Sequence, residues 1–101
     1  MAWLGLKRRT LRETPSYNEA SESLGNPADV DDALLVVTEA IARAPEVFPV
    51  LPGFQHLRIA KTDAVISKDG VKPGVVVWFM IVDSQYIDLL YIEEFVPDEE
   101  N

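Results

Sequence analysis

Apolar residues crowd the stretch VVVWFMIVDSQYIDLLYIEEF, residues 75–95, in two runs parted by Asp83, Ser84 and Gln85. The first run is apolar at every position, as in a strand buried on both faces. The second alternates, placing Ile87, Leu89, Tyr91 and Glu93 on one face and Leu90 and Ile92 on the other. This pattern predicts a hairpin of strands over 75–83 and 86–95, the first of them central in its sheet.

Upstream the period changes. Val30, Leu34, Val37 and Ile41 recur at helical spacing, with Ala33, Ala40 and Ala44 widening the stripe, and they predict a helix over 27–44. Asn26 can cap it, Pro27 suits its first turn, the aspartates at 29, 31 and 32 favour the positive end of its dipole, and Pro45 ends it. A shorter helix is predicted over 15–25, from a capping-box spacing of Ser16 and Glu19 and a stop at Gly25; Tyr17, Ala20 and Leu24 form its apolar face. The segment PEVFPVLPG, with prolines at 45, 49 and 52, reads as stiff and extended, and Val47, Phe48, Val50 and Leu51 are expected to cover an edge of the core. A strand over 54–62 carries Phe54, Leu57 and Ile59 among polar neighbours, and the two-residue period sets Arg58 opposite Leu57 and Ile59, pointing away from the core. Residues 63–74 form a turn-rich connection broken at Asp69-Gly70 and Pro73-Gly74, and 3–12 tolerates an edge strand. The order β-α-α-β-β-β predicts an α+β fold in which two N-terminal helices pack on a small antiparallel sheet. One domain over residues 1–96 is expected, followed by an acidic tail at 97–101.

Charge narrows the partners. The 101 residues carry a net charge of −8, which disfavours non-specific binding to nucleic acid, although Lys7, Arg8, Arg9 and Arg12 concentrate positive charge near the start. The chain has no cysteine and one histidine, His56, so thiolate metal sites and histidine clusters are excluded; neither a metal nor a cofactor is expected. The apolar part of MAWLGLKRR is too short for a secretory signal, and no run approaches the roughly 18 apolar residues of a membrane span, so a cytoplasmic protein with no membrane partner is expected.

The run from ETPSYNEASESL through PEVFPVLPGFQHLRIAKT to VVVWFMIVDSQYIDLLYIEEF resembles the RelE/ParE superfamily, the toxins of toxin–antitoxin pairs associated with plasmid stabilisation, over nearly the whole chain. The resemblance implies a RelE/ParE-like domain that inhibits growth, either through translation by cleaving mRNA on the ribosome or through DNA gyrase without cutting anything, and that is held in check by a cognate antitoxin. Ribonuclease chemistry needs cations to stabilise the charge building on phosphorus and a group that moves protons. By the resemblance, Arg58 matches the arginine of the family's "LR" strand, Lys61 assists it with Lys68 and Lys72 adding charge, and Tyr91 takes the place of a proton donor.

Two departures bear on that chemistry. Where a second arginine is expected in the penultimate strand this chain has Val75, Val76 and Val77, and where a basic or histidine-bearing strand is expected it has Glu93 and Glu94, which would repel a phosphodiester. Glu93 and Glu94 do not make a glycosidase pair either, because neighbours on a strand face opposite ways. His56 is a residue type suited to acid–base work, but no partner for it is evident. A non-catalytic protein-interaction module on the same scaffold, or an unrelated small α+β protein, is the alternative reading.

Overall fold

The computed structural model describes residues 8–24, 27–68 and 70–95. Strand β1 (Thr10–Glu13) leads into helices α1 (Pro15–Glu22) and α2 (Pro27–Arg43). A single 3-10 turn (Pro45–Val47) precedes β2 (Leu57–Lys61), a small hairpin of β3 (Val65–Ser67) and β4 (Gly70–Lys72), and the long pair β5 (Gly74–Ile81) and β6 (Tyr86–Phe95). Four strands form one sheet in the order β1-β6-β5-β2, and β3-β4 form a separate ribbon inside the turn-rich connection. The result is an α+β fold of two helices on a four-stranded sheet, with β5 central.

The sheet is mixed, which corrects the antiparallel expectation: β1 runs parallel to β6, with Thr10 opposite Tyr86 and Glu13 opposite Leu89. The cause lies in the helical layer. The Arg9 N–H donates to the Ala42 carbonyl at 2.8 Å, so the end of α2 returns to the side of the sheet where β1 starts. Strand β2 therefore sets out in the same direction as β1, and two antiparallel steps through β5 to β6 leave β6 parallel to both.

Local chemistry explains the element ends. Thr14, and not Ser16, caps α1: its backbone is extended, its Oγ1 accepts from the Tyr17 N–H, and Pro15 sits in the first turn. The Ser16–Glu19 capping box is absent because the Ser16 hydroxyl donates to the Leu90 carbonyl at 2.7 Å. Pro27 lies at the start of α2 as expected, whereas Gly25, Asn26, the acidic tail and residues 3–7 of the expected first strand lie outside the described residues. At Pro52-Gly53 the Phe54 N–H donates to the Leu51 carbonyl at 3.0 Å, and Gly53 has φ +86, the geometry of a type II turn. That turn takes Phe54 out of β2 and leaves it exposed.

The core is built from Ala60, Val75, Val77, Phe79, Ile87, Leu89 and Ile92 of the sheet against Tyr17 and Ala20 of α1 and Val30, Val37 and Ile41 of α2. The helix stripe is thus confirmed at three of its four positions, with Leu34 half-buried and Ala42 buried beside it. Phe48 packs edge-on against Phe79 with ring centroids 5.8 Å apart, while Val47 and Val50 of the same segment point to solvent. In β6 the alternation shifts partway: Trp78 faces Tyr91 but Phe79 faces Leu89, so Leu90 is an extra residue, a β-bulge. Ile87, Leu89 and Ile92 consequently share the helix-facing side, and Tyr91 and Glu93 the other, which corrects the grouping expected from a strict two-residue period.

Gly74 marks a close approach. A Cβ there would collide with the backbone carbonyl of Thr62, whose N–H and hydroxyl both bond Val75 at 2.9 Å. Gly74→Ala should destabilise the domain by about 1–3 kcal/mol, because a backbone carbonyl cannot rotate away as a side chain can. Urea unfolding monitored by Trp78 fluorescence reads the change.

Candidate functional site

Because both helices cover one face of the sheet, the residues of opposite parity form a second, open face. Strand β2 contributes Leu57, Ile59 and Lys61, β5 contributes Val76, Trp78 and Met80, β6 contributes Asp88, Tyr91 and Glu93, and β1 contributes Arg12. Trp78 and Tyr91 meet edge-to-face at 5.2 Å, and Tyr91 is 45% exposed. The Arg12 guanidinium lies 4.7 Å from the centre of the Tyr86 ring and donates to Asp88 at 2.7 Å. Lys61 lies 3.8 Å over the ring of Phe95. The face is therefore an aromatic and aliphatic strip with one cation toward each edge of the sheet.

The three expected site residues do not come together. Lys61 and Tyr91 share the open face, but Arg58 has the parity of Ala60 and so lies on the helix side, the reverse of its expected orientation. The sequence pattern ranks Leu57 and Ile59 above alanine as core residues. At this edge, however, Ala60 is the residue that is fully buried, and the carbonyls at the end of the 3-10 turn supply Arg58 with acceptors. Its Nη1 donates to the Phe48 carbonyl at 2.6 Å and to the Glu46 carbonyl at 3.3 Å. Arg58 thus holds the proline-rich segment against β2, where Val50 forms a bridge with it and the Leu51 and Ile59 N–H groups complete the contact.

The remaining cations are largely occupied. Arg8 donates to Glu39 at 3.0 Å, Arg43 to the same carboxylate at 2.6 Å, and Arg9 to Glu46 at 2.6 Å. The described members of the N-terminal basic cluster, Arg8, Arg9 and Arg12, are each matched with an acid, and among the described residues they form no basic face. Lys72 sits on the small ribbon and Lys68 in its turn, while His56 is exposed in the turn before β2. Among the described residues no cluster of His, Cys, Asp or Glu could hold a metal ion, and no helix is long and apolar enough to cross a membrane.

The ion pairs shift titration in one sense. Hydrogen bonds from Arg8 and Arg43 hold the Glu39 carboxyl below its ordinary value of 4.5, and the N–H groups of Gln85 and Tyr86 hold Asp83 below 3.8. The Arg12 guanidinium is raised by its hydrogen bond to Asp88. Burial, with Glu13 nearby, raises the Tyr17 hydroxyl.

Two outcomes are expected. Arg58→Ala should cost about 1–3 kcal/mol in urea unfolding, since it strips two backbone carbonyls of a charged donor; Arg12→Ala, at an exposed pair, should cost less. Glu39 and Asp83 are depressed in the folded chain, so their contribution to stability is full above their unfolded values and is lost as pH falls through the folded ones. Unfolding midpoints should decline below about pH 5, and a Glu39→Gln, Asp83→Asn double variant should decline less.

Comparison with protein-family models found no match for this chain, and comparison with curated proteins found none either.

Proposed function

We propose that this domain is a non-catalytic protein-interaction module with a RelE/ParE-like order of elements, working in the cytoplasm through the open face of its sheet. The observation that carries this reading is the division of the expected catalytic residues: Arg58 is spent on the carbonyls of Phe48 and Glu46 on one side of the sheet, while Lys61 and Tyr91 lie on the other. A phosphodiester held at the open face would meet Lys61 and Arg12 but also Asp88 and Glu93. An aromatic strip with isolated, paired charges suits a protein surface, where aromatic and arginine side chains carry most of the binding free energy.

A growth-inhibiting toxin that acts on DNA gyrase and is neutralised by an antitoxin is the second reading. It is favoured by the same open face, because binding gyrase asks for a surface and not for a catalytic set. Cleavage of mRNA on the ribosome would instead require Arg58 to leave its two carbonyl acceptors.

A photo-crosslinking residue in place of Tyr91 should capture one reproducible protein in the source cells, and the same residue at Ala40, on the exposed side of α2, should not. End-labelled RNA incubated with the purified domain, with and without ribosomes, should stay intact. Cleavage that disappears with Arg58→Ala, while the domain remains folded, would overturn the non-catalytic reading. Growth arrest on induced expression that is relieved by a Trp78→Ala, Tyr91→Ala double variant, with RNA intact, would select the gyrase-type toxin.

A further inference from the structure

The two long edges of the sheet are finished differently. Along β2, Pro49–Leu51 lie alongside the strand, bonded through the Leu51 and Ile59 N–H groups, and this edge is covered. Along β6 the cover stops halfway. Strand β1 pairs only as far as Glu13 opposite Leu89, after which the Thr14 N–H and hydroxyl bond the Leu89 carbonyl and the Ser16 hydroxyl bonds the Leu90 carbonyl. Beyond that point β6 continues from Tyr91 to Phe95 with β5, among the described residues, as its only strand neighbour.

The direction of the remaining backbone groups follows from the register. Val75 exchanges hydrogen bonds with Thr62, so its N–H and C=O face the β2 side, and those of Val77 do the same two residues on. Their β6 partners, Glu94 and Ile92, must then aim their own N–H and C=O groups away from β5. A groove of about 520 Å³ runs there, between β6 and Ser16, Glu19 and Ala20 of α1 with Ser23 and Leu24 just past its end. Tyr91, Ile92, Glu93 and Glu94 all line it. Successive strand residues point to opposite faces, so a groove touched by four in a row runs along the edge of the strand and not over either face.

We infer that this edge receives an extended, lysine- or arginine-bearing segment of a partner protein, which adds as a fifth strand to the sheet with its backbone on Ile92 and Glu94. The inference rests on the protein-binding reading above and names where and how the partner is gripped. Main-chain hydrogen bonds would give the affinity, and alternate side chains the selection. Charge selects the occupant: Glu19, Glu93 and Glu94 border the groove, whereas a second copy of this chain would bring its own Glu93 and Glu94 up to the same acids, and like charges directly opposite are destabilising in a ladder.

The test uses a short peptide alternating lysine with valine, the same peptide N-methylated at every second residue, and a glutamate–valine counterpart, each titrated into the isotopically labelled chain. The lysine peptide should slow amide exchange at Ile92 and Glu94 and leave the Leu57–Lys61 amides unchanged. The N-methylated and acidic peptides should bind at least about tenfold more weakly, as should the lysine peptide to a Glu93→Lys, Glu94→Lys variant. Glu94→Pro, which removes an outward donor at an edge position, should also weaken binding in the same assay. If that variant fails to fold, the charge variant and the N-methylated peptide still decide. Equal binding of all three peptides, no binding of the lysine peptide, unchanged exchange at Ile92 and Glu94, or a dimer that protects those amides without peptide would overturn the inference. Should the lysine peptide shift only the Trp78 and Tyr91 ring signals, the edge inference fails while the open-face reading stands. Edge protection together with no crosslink from Tyr91 would have the opposite meaning.

Discussion

Leu90 is one residue more than strand β5 can pair, and much of the molecule follows from that excess. An extra residue in an antiparallel ladder exchanges the two faces of everything beyond it and adds twist. Ile87 and Leu89 before the bulge and Ile92 after it therefore meet on the helix side, where each is nearly or fully buried. Without the bulge Tyr91 would enter the core and Ile92 would face solvent. The same residue presents its carbonyl to the Ser16 hydroxyl, so the bulge also fixes where α1 sits on the sheet.

Polar satisfaction at the edges is handled by side chains rather than by further strands. Thr14 is an economical case: its hydroxyl accepts from the Tyr17 N–H as a helix cap and donates to the Leu89 carbonyl, joining the start of α1 to the end of the β1 pairing. Arg58 does the equivalent at the other edge for the carbonyls of Glu46 and Phe48. Among the described residues no buried side-chain nitrogen or oxygen lacks a hydrogen-bond partner, and no buried residue is charged. Apart from the Tyr17 phenol the core is thus apolar, and specificity of arrangement is left to the hydroxyls and the guanidinium at its margins.

The long elements were legible in the sequence because each declares itself within a few residues. The α2 stripe has a 3.6-residue period, β5 is continuously apolar, and β6 alternates until its Leu89-Leu90 doublet, which in retrospect signals the bulge. What was not legible depends on distant partners. The parallel placement of β1 pairs Thr10 with Tyr86, far along the chain, and no local pattern encodes it. The facing of β2 is hidden because hydrophobicity favours Leu57 and Ile59, whereas the helix side at that edge takes Ala60 and an arginine with carbonyls to bind. Arg58 and Lys61, three residues apart on one strand, face opposite ways whichever side is the core; the inversion of parity decides only that Arg58 is the one under the helices.

The proline-rich cover of β2 has a further consequence for assembly. A sheet that is open at both edges can add strands from molecule after molecule, and head-to-tail addition of that kind does not close. Here the Pro49 carbonyl and the Leu51 N–H are spent on β2, Val50 turns its own N–H and carbonyl outward, and Pro52, next on that side, brings no N–H. A growing line that joined the β6 edge of one molecule to the β2 edge of the next would accordingly find a single residue to pair with there and not a ladder.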